Sequence, residues 1–154
     1  MTVRTTVDHV IGESADDLRA WTRGLDGCPP VTHTILAACP APSHGLEKPT
    51  WFFPTGEADE GIAQLRCVSC GLATDILDSA EHWTFPHMWG CLTCGQSMAE
   101  VVLGLHAEDK SEDASGPLVS WLAVTLRCTT CGRLDGLTDM YVANVPLEAI
   151  VASF

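Results

Sequence analysis

Basic residues are scarce in this chain of 154 residues, which has 8 lysines and arginines against 20 acidic residues and a formal net charge of −12. The few cations are scattered along the sequence and form no basic cluster. A chain with this charge repels nucleic-acid phosphates and anionic lipid headgroups. The composition therefore argues against nucleic-acid binding and leaves other proteins as the expected partners.

The sequence also lacks an apolar run of about 18 residues, which a transmembrane helix requires, so no membrane insertion is expected. Residues 1–12 do not show the basic-then-apolar order of a signal peptide. We therefore expect a cytoplasmic protein, in which the eight cysteines are thiols instead of disulfides. Cytosolic thiols in this number are usually metal ligands or redox groups.

Six of the eight cysteines form three short motifs of the form C-x-x-C-G. In each motif a tight turn can point both sulfurs at one metal ion, and the glycine can adopt the positive φ that the turn requires. One such motif would be weak evidence for a metal site, but three with the same glycine are strong evidence. The motifs are Cys67-Val68-Ser69-Cys70-Gly71, Cys91-Leu92-Thr93-Cys94-Gly95 and Cys128-Thr129-Thr130-Cys131-Gly132.

Three motifs supply six ligands, whereas two four-coordinate sites need eight. The best candidate for the missing pair is the segment Cys39–Gly45, which has a cysteine, a short turn, His44 and then the same glycine. We interpret it as a fourth motif that is two residues longer and has histidine as its second ligand. Cys28 is the rival for this last ligand position.

The order of the motifs indicates an internal duplication. Leu-Arg-Cys precedes the turn of two of the motifs, at residues 65–67 and 126–128. Upstream of each, a short apolar run leads through an acidic turn into a second apolar run, as expected for a β-hairpin. In this comparison the run Trp51–Phe53 matches the run Val101–Leu103.

The duplication predicts two metal sites, each made from the two motifs of one half. The first site comprises Cys39, His44, Cys67 and Cys70, and the second comprises Cys91, Cys94, Cys128 and Cys131. A competing arrangement joins the motifs at 67–70 and 91–94, which are close in sequence, and leaves the other two motifs for the other site. We favour the pairing that follows the duplication.

These features resemble zinc-ribbon and rubredoxin-like knuckle proteins over residues 31–141. The resemblance implies two zinc ions and a mainly β fold with two tandem zinc ribbons, which are antiparallel hairpins that carry metal-binding turns. The expected organisation is an N-terminal segment with a short helix at 1–30, ribbons at 31–80 and 81–143, and a short C-terminal helix at 144–154.

Short helices are expected at both ends of the chain. Ser14 can cap a helix in which Leu18 and Trp21 share one face. Near the C-terminus, Pro146 fits the first turn of a second helix whose apolar face ends at Phe154. Such a face must cover the core or bind a partner. The apolar composition of 46% in so acidic a chain indicates a buried interface, so homodimerisation or membership of a larger complex is expected.

Metal sites of four cysteines, or of three cysteines and a histidine, are closed, so the metal stabilises the fold and takes no part in catalysis. We therefore expect a structural or protein-interaction module, a subunit or adaptor of a complex, with no catalytic residues. One alternative is a rubredoxin-like electron-transfer protein that binds iron, and another is a nucleic-acid-binding ribbon, which the charge disfavours. A zinc-deaminase centre with His106, Glu108 and Cys128 is discounted, because Arg127 stands where that signature has proline.

Overall fold

The computed structural model describes residues 3–5, 9–25, 29–41, 50–57, 62–77, 79, 87–109 and 116–154. These residues form mostly β-strands together with two short helices, which confirms the mainly β fold class. In chain order the elements are β1 (Arg4–Thr5), β2 (Val10–Ile11), α1 (Ala15–Arg23), β3 (His33–Leu36), β4 (Phe52–Glu57), β5 (Ile62–Cys67), β6 (Ala73–Asp75), β7 (His87–Met88), β8 (Ala99–Glu108), β9 (Leu118–Cys128), β10 (Arg133–Pro146) and α2 (Leu147–Val151).

The described strands form one antiparallel sheet. Its main order is β1-β2-β10-β9-β8-β4-β5-β6. Outside this order, β3 pairs with β8 and β7 pairs with β4. We call β3–β6 the first half and β7–β10 the second half. The two expected ribbons are thus not separate sheets. The predicted boundary between them, at residues 80 and 81, lies outside the described residues.

The duplication is visible in the register of the central hairpins. In the first half Phe52 of β4 pairs with Cys67 of β5, and in the second half Ala99 of β8 pairs with Cys128 of β9. The pairs that follow run in step along both hairpins. Phe52 and Ala99 also pair with each other, so the two halves meet at equivalent positions.

This register corrects one detail of the sequence comparison. The run Trp51–Phe53 does not correspond to Val101–Leu103, because Trp51 occupies the position that Met98 has in the second half. The N–H of Val68 donates to the Trp51 carbonyl at 3.0 Å, and the N–H of Thr129 donates to the Met98 carbonyl at 3.2 Å. The apolar character of both runs concealed the offset, since strand residues of similar type can be aligned in several registers.

Each half lends one short strand to the other half. β3, from the first half, pairs with β8 of the second, and β7, from the second half, pairs with β4 of the first. The backbone bonds beyond these strands are equivalent too. The N–H of Ala37 donates to the Val101 carbonyl at 2.9 Å, and the N–H of Trp89 donates to the Pro54 carbonyl at 2.8 Å. The halves are therefore joined by a reciprocal exchange of strands.

The main hydrophobic core lies on one face of the sheet. Because β10 also lies close to β4 and β5, the sheet curls around this core. Full burial of each large apolar side chain contributes about 1.5–3 kcal/mol. The largest fully buried members are Phe52, Leu65, Ile76, Leu103, Leu105, Leu122, Leu126 and Ile150. Cys67, Cys91 and Cys128 are buried in the same core.

Helix α1 covers the opposite face of β8 and β9, which explains why these strands are buried on both sides. The N–H of Asp17 donates to the Ser14 side chain at 3.3 Å, and the helix ends at Gly24, so the predicted N-terminal helix is confirmed. Leu18 packs with Val102 and Leu134 in a small second cluster.

The C-terminal helix is shorter than expected. It begins at Leu147, because residues 144–146 still belong to β10 and Pro146 pairs with Leu118 of β9. Ile150 is buried in the main core and Phe154 packs against it. In the described parts of the chain, neither helix has the length and apolar character needed to cross a bilayer.

Gly104 controls how closely α1 approaches the sheet. A Cβ at this position would lie 2.7 Å from Cγ2 of Thr22, whose hydroxyl contacts that of Thr125 at 2.7 Å. We expect Gly104→Ala to lower the free energy of unfolding by about 1–3 kcal/mol, as overpacking does. Gly136→Ala is the control, because no atom lies within 4 Å of its added Cβ. Chemical denaturation measures both variants, and equal effects would contradict this packing argument.

Candidate metal centres

Four cysteines of the second half bring their sulfurs together, and we call this group site 2. The ligand atoms of Cys91, Cys94, Cys128 and Cys131 all lie within 4.8 Å of one another. The sulfurs of Cys91 and Cys131 are 3.5 Å apart, as are those of Cys94 and Cys128. A disulfide has an S–S distance of about 2.05 Å, whereas a tetrahedral zinc ion with Zn–S bonds of about 2.3 Å separates its sulfurs by about 3.8 Å. The spacing therefore fits four ligands of one ion.

Two tight turns hold these sulfurs in place. One turn precedes β8, where the N–H of Gly95 donates to the Cys91 carbonyl at 2.8 Å. The other joins β9 to β10, where the N–H of Gly132 donates to the Cys128 carbonyl at 2.9 Å. Both glycines have a positive φ, 76° and 79°, a conformation that costs other residues energy. The local sequence thus fixes the turn that points each pair of thiols inward.

The thiols of site 2 differ in their affinity for protons. Burial raises the pKa of Cys91, but hydrogen bonds from the backbone N–H groups of Cys94 and Thr93 outweigh it and lower the pKa to about 7. Burial raises the pKa of Cys131 to about 12, and the neighbouring thiols add to this shift. Four thiolates at such distances repel one another, so they need a bound cation to coexist.

Three cysteines of the first half form a second group, site 1. The ligand atoms of Cys39, Cys67 and Cys70 lie within 4.8 Å of one another, and the sulfurs of Cys39 and Cys70 are 3.6 Å apart. The described part of the chain adds no fourth residue to this group. His44 and Cys28, the two candidates for that position, lie outside the described residues.

Site 1 is more open to solvent than site 2. Cys70 is exposed, and a hydrogen bond from the backbone N–H of Leu72 lowers the pKa of its thiol. Burial raises the pKa of Cys39 to about 11. Cys39 has the position in site 1 that Cys91 has in site 2. Ala37 and Trp89 make equivalent bonds to the opposite half, and each cysteine is the second residue after one of them.

The described cysteines group as the duplication predicts, while the predicted ligand His44 lies outside the described residues. The structure places the motif at 67–70 with Cys39, and the motif at 91–94 with the motif at 128–131. The competing arrangement, in which the motifs at 67–70 and 91–94 share one site, does not occur. In the first half the hairpin β4–β5 brings the motif at 67–70 back beside the start of β4, where Cys39 lies. In the second half the hairpin β8–β9 brings the motif at 128–131 back beside the start of β8, where the motif at 91–94 lies.

The N-terminal segment clamps the turn of site 2, a contact that no sequence pattern predicted. The N–H of Gly12 donates to the Gly132 carbonyl at 2.9 Å. Arg127 donates from Nε to the Gly12 carbonyl at 2.7 Å and from Nη2 to the Glu13 carbonyl at 2.8 Å. The recurrence of arginine in both Leu-Arg-Cys repeats was the available signal for this contact.

The described histidines His106 and His87 do not belong to either cysteine group. His106 lies in β8, with Nδ1 2.7 Å from the Pro30 carbonyl and Nε2 2.9 Å from Glu108. Neither His106 nor Glu108 belongs to site 2, which leaves the discounted deaminase centre without its arrangement of ligands. His87 is exposed in β7.

No protein-family model matches the chain, and no curated protein and no solved structure is significantly similar to it. The resemblance to zinc ribbons therefore depends on the cysteine motifs and on the geometry of the two groups.

The turn glycines provide a test of how the clamp supports site 2. A Cβ on Gly132 would lie 2.5 Å from the Gly12 carbonyl oxygen, whereas no atom lies within 4 Å of a Cβ on Gly95. Gly95→Ala should cost about 1–2 kcal/mol from backbone strain alone. Gly132→Ala should cost about 1–3 kcal/mol more, because the backbone of the clamp must move. Thermal unfolding in the presence of zinc compares the variants, and equal losses would show that the clamp is not rigid.

Proposed function

We propose that the chain is a zinc-binding structural module with two closed sites, and that it serves as a subunit or adaptor by binding another protein. The observation that carries the metal assignment is the convergence of the four thiols of site 2 from two distant turns. Site 1 repeats this arrangement with Cys39, Cys67 and Cys70, and we propose His44 as its fourth ligand.

The donor set favours zinc. Thiolates are soft ligands, and zinc accepts four of them in a tetrahedron without a preference imposed by d-electrons. A site with four protein ligands leaves no position for water or substrate, so its role is to stabilise the fold. Iron can occupy the same four thiolates, as in rubredoxin-like proteins, and metal analysis separates the two.

The position of the sites supports a structural role. Cys67, Cys91 and Cys128 are buried in the main core. Cys67 and Cys128 end β5 and β9, and Cys91 lies in the turn before β8. A metal ion there links the turn before β8 to the turn after β9, and these turns are distant in sequence. Because the ligands are assembled only in the folded chain, the free energy of metal binding adds to the stability of the fold.

The surface supports binding to a protein. Two apolar side chains beside the turn of site 2 are largely exposed, Leu92 at 80% and Met88 at 62%. Met88 also lines a groove of about 450 Å³, together with Phe53, Gly95, Gln96, Ser97 and Met98. Exposed apolar surface of this kind is typical of interaction sites, and the net charge of −12 favours a basic partner.

Metal content tests the proposal directly. Protein purified without added metal should contain two zinc ions per chain, and Cys128→Ser should contain one because its four-thiolate site is broken. His87→Ala is the control and should keep both ions. Inductively coupled plasma mass spectrometry gives the stoichiometry. A folded protein without metal would refute the proposal, and iron in site 2 would favour the electron-transfer alternative.

The fourth ligand of site 1 can be assigned with two substitutions. His44→Ala should weaken zinc retention at site 1 by more than the roughly 10–100-fold that loss of an outer contact costs, whereas Cys28→Ser should leave it unchanged. Competition with a chromogenic chelator measures the affinity of each variant. The reverse result would assign the position to Cys28, and no effect in either variant would show that neither residue binds the metal.

A further inference from the structure

In the second half, a strand from the N-terminal segment is added to the edge of the sheet beside the metal-binding turn. Ile11 of β2 pairs with Arg133 of β10, and Val10 pairs with Leu134. The same strand continues to Gly12, whose N–H donates to the Gly132 carbonyl. This half of the duplication therefore shows what an occupied edge looks like.

In the first half, the equivalent edge belongs to β6. Leu65 pairs with Thr74 as Leu126 pairs with Asp135, so the short strand β6 corresponds to the beginning of β10. β6 ends the strand order of the sheet, and no described strand pairs with its outer side. Leu72, at the start of this edge, is 42% exposed.

The main-chain groups of Ala73 face the outer side of β6. The N–H of Cys67 donates to the Leu72 carbonyl, and the N–H of Ile76 donates to the Ala63 carbonyl, both at 2.9 Å. Since residues of an antiparallel strand bond alternately to its two sides, Thr74 bonds to β5 while Ala73 does not. Ala73 corresponds to Leu134, which is paired with Val10.

Arg66 completes the correspondence. It occupies the position of Arg127, which donates to two carbonyls of the added N-terminal strand. The Nη1 group of Arg66 donates to the Gly71 carbonyl at 3.2 Å. Gly71 corresponds to Gly132, whose carbonyl accepts from that strand. Arg66 therefore bonds to the group that an added strand would use.

We propose that the edge of β6, together with Gly71 and Arg66, binds an extended, positively charged peptide segment of another protein as an added strand. The occupied edge defines the pattern of this segment, which is two β-branched residues followed by glycine, as in Val10–Gly12. The net charge of −12 favours a cationic segment and opposes a second copy of the chain. The inference deepens the proposed interaction role and does not depend on which metal is bound.

The probe is a synthetic peptide of residues 9–16 in which Glu13 and Asp16 are replaced by lysine. Titration followed by amide chemical shifts on the full, zinc-loaded chain should perturb residues 71–75. The key variant is Ala73→Pro, which removes one outward N–H and leaves the bonds between β5 and β6 intact. It should weaken binding about tenfold or more, which corresponds to the loss of about one hydrogen bond. Ala73→Val keeps the N–H and should bind like the original chain.

Further measurements separate this inference from the metal assignment. Zinc content and the circular dichroism spectrum should be the same in the original chain and in the Ala73→Pro and Ala73→Val variants. Equal values show that a loss of peptide binding does not come from a loss of the fold. Arg66→Ala should also weaken binding, and a peptide with proline at the position of Val10 should not bind. Unchanged binding by Ala73→Pro would overturn the proposal. A dimer that dissociates in the Ala73→Pro variant would also overturn it, because the edge would then bind a second copy of the chain. An Ala73 amide that is protected from exchange without peptide would overturn it as well, because the edge would already be covered.

Discussion

The convergence of thiols inside a hydrophobic core is the constraint on which the rest of this structure depends. At site 2 the sulfurs approach to 3.5 Å, and two of the four cysteines are buried. If all four groups were thiolates, they would repel one another and be poorly solvated, so a bound cation would be needed to neutralise them. Such an ion would link the turn that precedes β8 to the turn that follows β9.

The duplication produces two cysteine groups with the same local geometry but different surroundings. Each half has the same hairpin register and the same Leu-Arg-Cys sequence before its second turn. Among the described residues, the N-terminal segment contacts the turn of site 2, where Gly12 and Arg127 hold it. In the first half the matching arginine bonds to its own turn instead. One copy is therefore anchored in the body of the fold, while the other keeps a free edge in the described structure.

The sequence was informative where the determinants are local. The glycine after each cysteine pair permits the positive φ that the turn needs, so the turns at Gly95 and Gly132 could be predicted from the motif. The helix capped by Ser14 could be predicted from its capping residue and its apolar face. The recurrence of Leu-Arg-Cys further indicated how the motifs group. The pairing of β3 with β8 could not be foreseen, because strand partners depend on contacts between distant residues. For the same reason, two separate ribbons were expected where the structure has one sheet.

The reciprocal exchange of β3 and β7 has a consequence for the integrity of the molecule. Each half contains a strand whose hydrogen-bonding partner belongs to the other. Neither half can therefore leave without breaking both of these pairings and the pairing of Phe52 with Ala99, which would expose strand edges. A protease that cut the connection between β6 and β7 would thus release no fragment. The nicked chain would remain interlocked under native conditions, and its two pieces would separate only when the whole sheet unfolds.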